Sequence, residues 1–280
     1  MEGCIGDEKG YLLEDYRLFH LRDELAQRMD YHYHAFEKIV FHLAGRVTYS
    51  VEGKSYELKP YDILLVGRNL LHRPVIGQGE PYERIILWLS AEYLETAGSG
   101  DCDLGSCFRL TERRGFHMFR PRGEDRLRYR RMFEQIEEAQ GEEAFGSATL
   151  AESCLWRLMV ALNRDILAQP EAGEDVEYRF DPKMEEVTRF IGEHLSEELP
   201  IERLASQFYL SRYYLMHRFK EVYGVTVHQY IRQKRLLRAA DELRRGTPVL
   251  KAAMEAGFND YSAFLRAFQA AYGKSPREWK

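Results

Sequence analysis

From about Tyr31 to Ser90 apolar and polar positions alternate in short runs, which is the signature of strands. VTYSVEGKSYEL, Val47 to Leu58, alternates around a Glu52-Gly53 turn. KPYDILLV then passes into a short run rich in branched residues, and IILWLS, Ile85 to Ser90, is another. Short strands with turn signals every 8 to 12 residues predict a small barrel or sandwich. After AGSGDCDLGS, read as a loop, the period becomes helical in RLRYRRMFEQIEEAQ and ATLAESCLWRLMVALNRDILAQ, for example at Leu155, Leu158, Met159 and Leu162. The short GEEAFGS between them predicts an antiparallel hairpin, which either covers the barrel or pairs with its copy in a dimer. PEAGEDVEYRF, Pro170 to Phe180, is polar, acidic and opened by proline, and is expected to be a linker. Beyond it the pattern is helical, with stops at Gly224, Gly246 and Gly273.

The helical region repeats itself. In IERLASQFYLSRYYLMHRFKEVYG a first helix would bury Ile201, Leu204, Ala205 and Phe208. Ser211 then caps a second helix with Leu215, Phe219 and Val222 inside. PVLKAAMEAGFNDYSAFLRAFQAAYG follows the same plan, with Ala252 and Ala253 for Leu204 and Ala205, Phe264 for Leu215 and Phe268 for Phe219. The leading halves align at an offset of 48 and the trailing halves at 49, so the second turn holds one more residue. Gly257 supplies a permissive turn there, and Asn259 or Asp260 a cap. Each copy has the pattern of a helix-turn-helix.

Between the copies Thr226 to Gln229 start a helix of about 18 residues that runs to Gly246. Its length of roughly 27 Å, with the flanking units added, approaches the roughly 34 Å between successive major grooves on one face of DNA. Charge agrees. The whole chain is at −5, but Arg203 to Lys280 carries 15 basic against 6 acidic residues, +9, which leaves −14 for the rest. A basic region on an acidic partner is expected where only one domain meets phosphate.

In AGFND, then F-x-x-x-F, then YGKSPREW, residues 181 to 280 resemble the DNA-binding domain of AraC/XylS-type transcription regulators. Tyr209 stands where the first unit of that family often has glycine, and Gln269 where lysine is common. Positions that read bases in the family fall on Tyr213, Met216 and His217. The corresponding face of the second unit carries Tyr261, Ser262, Leu265 and Arg266. Arg266 suits guanine, since a guanidinium engages O6 and N7 together. Arg212, Arg218, Lys220, Lys274 and Arg277 are candidates for phosphate contact.

YHYHAFEKIVFHLAG and LKPYDILLVGRNLLHRPVI resemble the two halves of a small cupin barrel. In metal-binding cupins an H-x-H pair, a glutamate and a third histidine converge on one ion, which places His32, His34 and His72. Lys38, however, occupies the place of the glutamate, Glu37 falls one position early on the other side of the strand, and Ile76 replaces the motif asparagine. Three imidazoles alone still suffice for zinc, and histidines also occur as ordinary polar residues of barrels. The preferred reading is a pocket in which His32, His34, Lys38 and His72 hydrogen-bond a polar small molecule, with no metal and no cofactor.

These readings combine into an α+β multidomain chain. Residues 1–100 form a cupin-like, effector-sensing β-barrel and 101–169 a helical hairpin that dimerises it. A linker at 170–180 leads to an all-α double helix-turn-helix domain at 181–280, with units at about 201–224 and 249–273. The expected function is sequence-specific transcription regulation. Family resemblance implies activation and effectors such as sugars, a homodimer on promoter DNA, and RNA polymerase as a further partner. The competing reading is a metal-dependent cupin enzyme with an accessory DNA-binding tail; the preferred one has no catalytic residues. The scattered Cys4, Cys102, Cys107 and Cys154 fit reduced thiols. MEGCIGDEKGYLLEDY lacks the pattern of a signal peptide and no apolar run is long enough to span a membrane, so a cytoplasmic protein is expected.

Overall fold

The computed structural model describes residues 12, 14–24, 29–98, 100, 102–169 and 176–279. The chain divides into two compact units that meet in sequence between Arg179 and Phe180.

The first unit is built on two sheets. One has the strand order β1-β7-β2-β5-β8, formed by β1 Tyr16–Asp23, β2 Glu37–Ala44, β5 Ile63–Val66, β7 Tyr82–Leu89 and β8 Met118–Phe119. The other runs β6-β3-β4-β9, formed by β3 Val47–Val51, β4 Lys54–Glu57, β6 His72–Ile76 and β9 Tyr178–Arg179. The expected hairpin is present: β3 and β4 pair antiparallel around Glu52 and Gly53, both at positive φ. Strand β1, absent from the sequence reading, pairs with the whole of β7 from Tyr16 opposite Leu89 to Asp23 opposite Tyr82.

Alternation along the strands sorts side chains into two cores. Ile39, Phe41, Ile63, Leu65, Ile85 and Leu87 point to one face of the larger sheet. Val40, Leu64 and Val66 point to the other, where they meet Val47, Tyr49, Val51 and Tyr56 of the smaller sheet and fill the barrel.

Two helices absent from the sequence reading, α1 Ala91–Thr96 and α2 Ser106–Arg114, flank the stretch AGSGDCDLGS expected to be a loop. The expected hairpin follows as α3 Asp125–Gly141 and α4 Ser147–Ala168. Tyr129, Phe133, Leu155, Leu158 and Met159 join the outer core of the larger sheet, with Phe133 stacked on Phe41 at 4.6 Å between ring centroids. The hairpin therefore covers the barrel, and residues 101–169 belong to the same compact unit. Asp62, almost fully buried, accepts from Arg120 Nε at 2.8 Å and from the Lys59 amide at 2.7 Å, which fastens the segment after β8 to the start of β5.

The expected linker is partly structured. Residues 170–175 lie outside the described residues, but Val176 is buried in the barrel core and Tyr178 pairs with Tyr56, so β9 extends the smaller sheet. An alternation of two residues is too short to be read as a strand.

The second unit is helical: α5 Pro182–Glu193, α6 Ile201–Gln207, α7 Arg212–Tyr223, α8 Val227–Arg244, α9 Val249–Glu255 and α10 Tyr261–Tyr272. Each start has a physical cause. Asp181 accepts from the amides of Lys183 and Met184 with proline at the first position of α5, and Ser211 and Asp260 cap α7 and α10. Thr226 and Gln229 form a reciprocal capping box on α8.

Candidate DNA interface and effector pocket

Helices α7 and α10 are held by the same device. In the first copy Phe219, Tyr223 and Tyr230 pack ring against ring with centroids 4.6 to 5.5 Å apart; in the second Phe268, Tyr272 and Trp279 do so at 4.5 to 5.5 Å. Fully burying one such ring contributes on the order of 2 to 3 kcal/mol. Trp279 also donates Nε1–H to Ala240 O at 3.3 Å, which ties the second copy to α8. In α7 the third buried position is Tyr223, with Val222 only half-buried, a correction to the expected core; Phe208 and Ile201 of the first helix are likewise half-buried.

This packing turns the remaining face outward. Tyr213, Met216 and His217 are exposed along α7, with Tyr213 and His217 stacked at 6.0 Å. On α10 Ser262 and Arg266 are exposed, Leu265 is half-buried, and Tyr261 is half-buried with its ring 6.3 Å from Phe264. The five phosphate candidates divide. Arg212 pairs with Glu202 at 2.7 Å, and Arg218 holds Asp181 at 2.6 Å and Glu221 at 2.8 Å, so both are engaged within the unit. Lys220, Lys274 and Arg277 are exposed, and Lys220 and Arg277 form no ion pair among the described residues.

A groove of about 990 Å³ separates the two outward faces, with Met216 on one wall, Arg266 on the other and His228, Ile231 and Arg232 of α8 along its floor. His228 and Arg232 were missed by sequence reasoning. They lie one turn apart and are both exposed, opposite the buried Tyr230 and Leu237, so the helical period carried a usable signal.

In the barrel unit the four pocket candidates come together. His32 and His72 face each other across an antiparallel bridge with N···O distances of 3.0 and 2.9 Å, and their ring centroids lie 4.2 Å apart. The His34 ring is 4.7 Å from His72 and stacks on Phe36 at 4.1 Å. Lys38 stands on the interior face of β2, paired with Val66 on one side and Trp88 on the other. Burial together with the Lys38 ammonium pushes the His34 and His72 imidazoles well below their usual pKa, so both rings are neutral. Glu37 points to the opposite face, where its Oε2 accepts from the Arg68 amide at 2.9 Å, and burial pushes its carboxyl up to about 7.

The arrangement does not suit the metal of cupin enzymes. The position of the motif carboxylate holds an ammonium that faces the imidazoles, and the nearest glutamate is on the far side of the sheet. Among the described residues no group of three or more His, Cys, Asp or Glu side chains is placed to hold a metal ion. Trp88, absent from the sequence candidates, borders the same site; its nearness to Lys38 depends on the register of two strands far apart in sequence.

Two helix-turn-helix units in one compact domain, carried by a chain that also folds a polar-lined barrel, are the arrangement of a DNA-binding regulator with a ligand-binding domain. Comparison with known sequences agrees. The AraC-like ligand binding domain matches residues 18–159, and a helix-turn-helix domain matches 204–280. The chain belongs to the AraC family of transcription regulators. It is 33% identical over 98 residues to the regulatory protein SoxS of Escherichia coli K12, which covers 35% of this chain and 92% of that protein. It is 28% identical over 156 residues to the regulatory protein PocR of Salmonella typhimurium, covering 53% of this chain and 52% of PocR. It is 28% identical over 143 residues to the transcriptional activator RhaS of Klebsiella pneumoniae, covering 50% and 49%. The chain thus matches about half the length of PocR and RhaS. Neither the family matches nor these relatives support the enzyme reading, and no helix among the described residues is long and apolar enough to cross a membrane.

Proposed function

We propose that this regulator activates transcription in the cytoplasm in response to a polar small molecule held by His32, His34, Lys38 and His72. The observation that carries the pocket is a pair of buried imidazole nitrogens, Nε2 of His34 and of His72, that have no hydrogen-bond partner. Buried polar atoms left unpaired cost about 1 to 3 kcal/mol each, so two of them at one site support the reading that a bound molecule satisfies them.

On DNA, α7 reads one major groove through Tyr213, Met216 and His217, and α10 the next through Tyr261, Ser262, Leu265 and Arg266. Lys220, Lys274 and Arg277 hold phosphates, and His228 and Arg232 meet the strand that crosses between the grooves; Arg212 and Arg218 reach phosphate only by exchanging their present carboxylate partners. The outer face of the α3–α4 hairpin, which exposes Leu127, Leu150 and Leu167, forms the homodimer. RNA polymerase is the partner that activation requires, a reading supported by the likeness to an activator.

The decisive experiment is a footprint on the promoters adjoining the gene, followed by gel shifts on the protected sequence and on a scrambled copy. A specific sequence bound at least about a hundredfold more tightly is expected. Equal affinity for both would sink the regulator reading.

A further inference from the structure

The outward face of α7 is apolar and aromatic. Tyr213 is 76% and Met216 49% exposed, one turn apart, and the His217 ring lies against that of Tyr213 at 6.0 Å, which limits its freedom. Both arginines of the helix are engaged elsewhere. Arg212 pairs with Glu202 at 2.7 Å, and Arg218 is drawn to Asp181 at 2.6 Å and Glu221 at 2.8 Å. Lys220 continues the stripe of Tyr213 and Met216 but stands roughly 10 Å further along the axis than Tyr213, beyond the N-terminal turns that reach base edges in a helix-turn-helix.

The same positions of α10 differ in kind. Ser262 and Arg266 are exposed, whereas the apolar Tyr261 and Leu265 are half-buried, with the Tyr261 ring against Phe264. What α10 offers to a partner is therefore a hydroxyl and a guanidinium. Met216 and Arg266 both line the groove of about 990 Å³ above His228 and Arg232, so each points inward from its helix toward the other.

The one apolar substituent that base pairs present in the major groove is the C5 methyl of thymine. A thioether and a phenol ring gain by burying that methyl and gain nothing against the polar edges of the other bases. The residues around this patch favour a duplex over a protein surface as its partner, since Arg203 to Lys280 carry 15 basic against 6 acidic residues. We propose that the operator is chemically asymmetric. Helix α7 reads thymine through its methyl, with Met216 and Tyr213 as the contacts, and α10 reads guanine through Arg266, about 10 base pairs away on the same face of the duplex. Because Met216 and Arg266 face each other over the groove, this thymine and this guanine are the inner bases of the two half-sites. The proposal rests on the reading of the chain as a sequence-specific DNA-binding regulator. An arginine or lysine at position 213 or 216 would call for guanine under α7, and an asparagine or glutamine for adenine; α7 has neither there.

The full chain is used to select from a library of randomised duplexes. The enriched sequence is then remade with deoxyuridine for single thymines, which removes only the methyl, or with 7-deazaguanine for single guanines, which removes only the N7 acceptor. Loss of the methyl under Met216 should weaken binding about fourfold, the worth of one buried carbon, and loss of N7 under Arg266 roughly tenfold. The first effect should vanish in Met216→Ala and the second in Arg266→Ala. Each variant changes an exposed side chain and should melt with the wild type. An enriched sequence in which no thymine is sensitive to its methyl, or whose sensitivity persists unchanged in both Met216→Ala and Tyr213→Ala, overturns the proposal and leaves the regulator reading standing. So does an N7 effect in the α7 half-site that disappears in Lys220→Ala. Failure to enrich any sequence overturns both.

Discussion

Tyr209 and Gly257 occupy the same point of the two helix-turn-helix units, and both are left-handed, at φ of 56° and 94°. The bonds around them match. The Tyr209 amide donates to Ser206 O and Leu210 to Ala205 O, while Gly257 donates to Met254 O and Phe258 to Ala253 O. The turn requires the conformation, glycine adopts it without cost, and tyrosine does not. Tyr209 is 95% exposed and gains no packing in return. Tyr209→Gly should therefore stabilise the DNA-binding unit by about 0.5 to 1 kcal/mol, after the extra freedom of glycine in the unfolded chain is deducted. Scanning calorimetry should show the transition of that unit rise by a few degrees, and an unchanged or lower midpoint contradicts the strain.

At Gly257 the reverse change is severe. A Cβ there would lie 2.4 Å from Leu195 O and 2.9 Å from Arg235 Nε, whose guanidinium is itself bonded to Leu195 O at 2.9 Å. Gly257→Ala should cost more than about 2 kcal/mol, since steric overlap with backbone adds to the unfavourable φ. In the same calorimetric trace the DNA-binding transition should drop while the barrel transition stays in place.

The contrast between these two residues marks what the sequence could tell. The need for glycine at Gly257, the aromatic triads and the capping of α7, α8 and α10 are local, and periodicity and residue type announce them. The period of two puts His32 and His34 on one side, while the meeting of His72 with them is implied only by the resemblance to cupins and is seen in the bridge between His32 and His72. Strand β1 was hidden because YRLFHLRD mixes charge into its alternation and earns its place only through pairing with β7, some sixty residues later. Trp88 was hidden for the same reason: nothing local fixes which residue of β7 lies beside Lys38. The Arg218 pair with Asp181, which ties the recognition helix to the cap of α5, was equally beyond reach, since it spans 37 residues.

Substitutions on the DNA face should separate reading from holding. Arg266→Ala is expected to cost about 1 to 3 kcal/mol on the specific site and to relax preference at one base pair. Lys220→Ala and Arg232→Ala should weaken binding to every sequence alike and each lower the salt slope by about one counterion. Binding titrations at three salt concentrations on specific and scrambled DNA distinguish the two behaviours. If Arg232→Ala leaves the slope unchanged, the floor of the groove does not meet phosphate.

Glu37 should make the barrel unit less stable as pH rises. Burial raises its carboxyl from an ordinary 4.5 to about 7 in the folded chain, so between those values the native state holds a proton that the unfolded state has released. Stability falls across that window and levels off above it, by about 3 kcal/mol for a shift of this size. His34 and His72 act in the opposite sense, because imidazoles lowered by burial destabilise the fold toward acid, and so the wild-type profile alone is a sum. Glu37→Gln isolates the carboxyl: the amide oxygen can still accept from the Arg68 amide, but it does not titrate. Urea unfolding of the barrel unit, followed by the fluorescence of Trp88 and Trp156, should give nearly equal stabilities for wild type and variant near pH 4. The variant should gain up to about 3 kcal/mol by pH 8. Profiles that run parallel would show that Glu37 is already ionised when the protein folds.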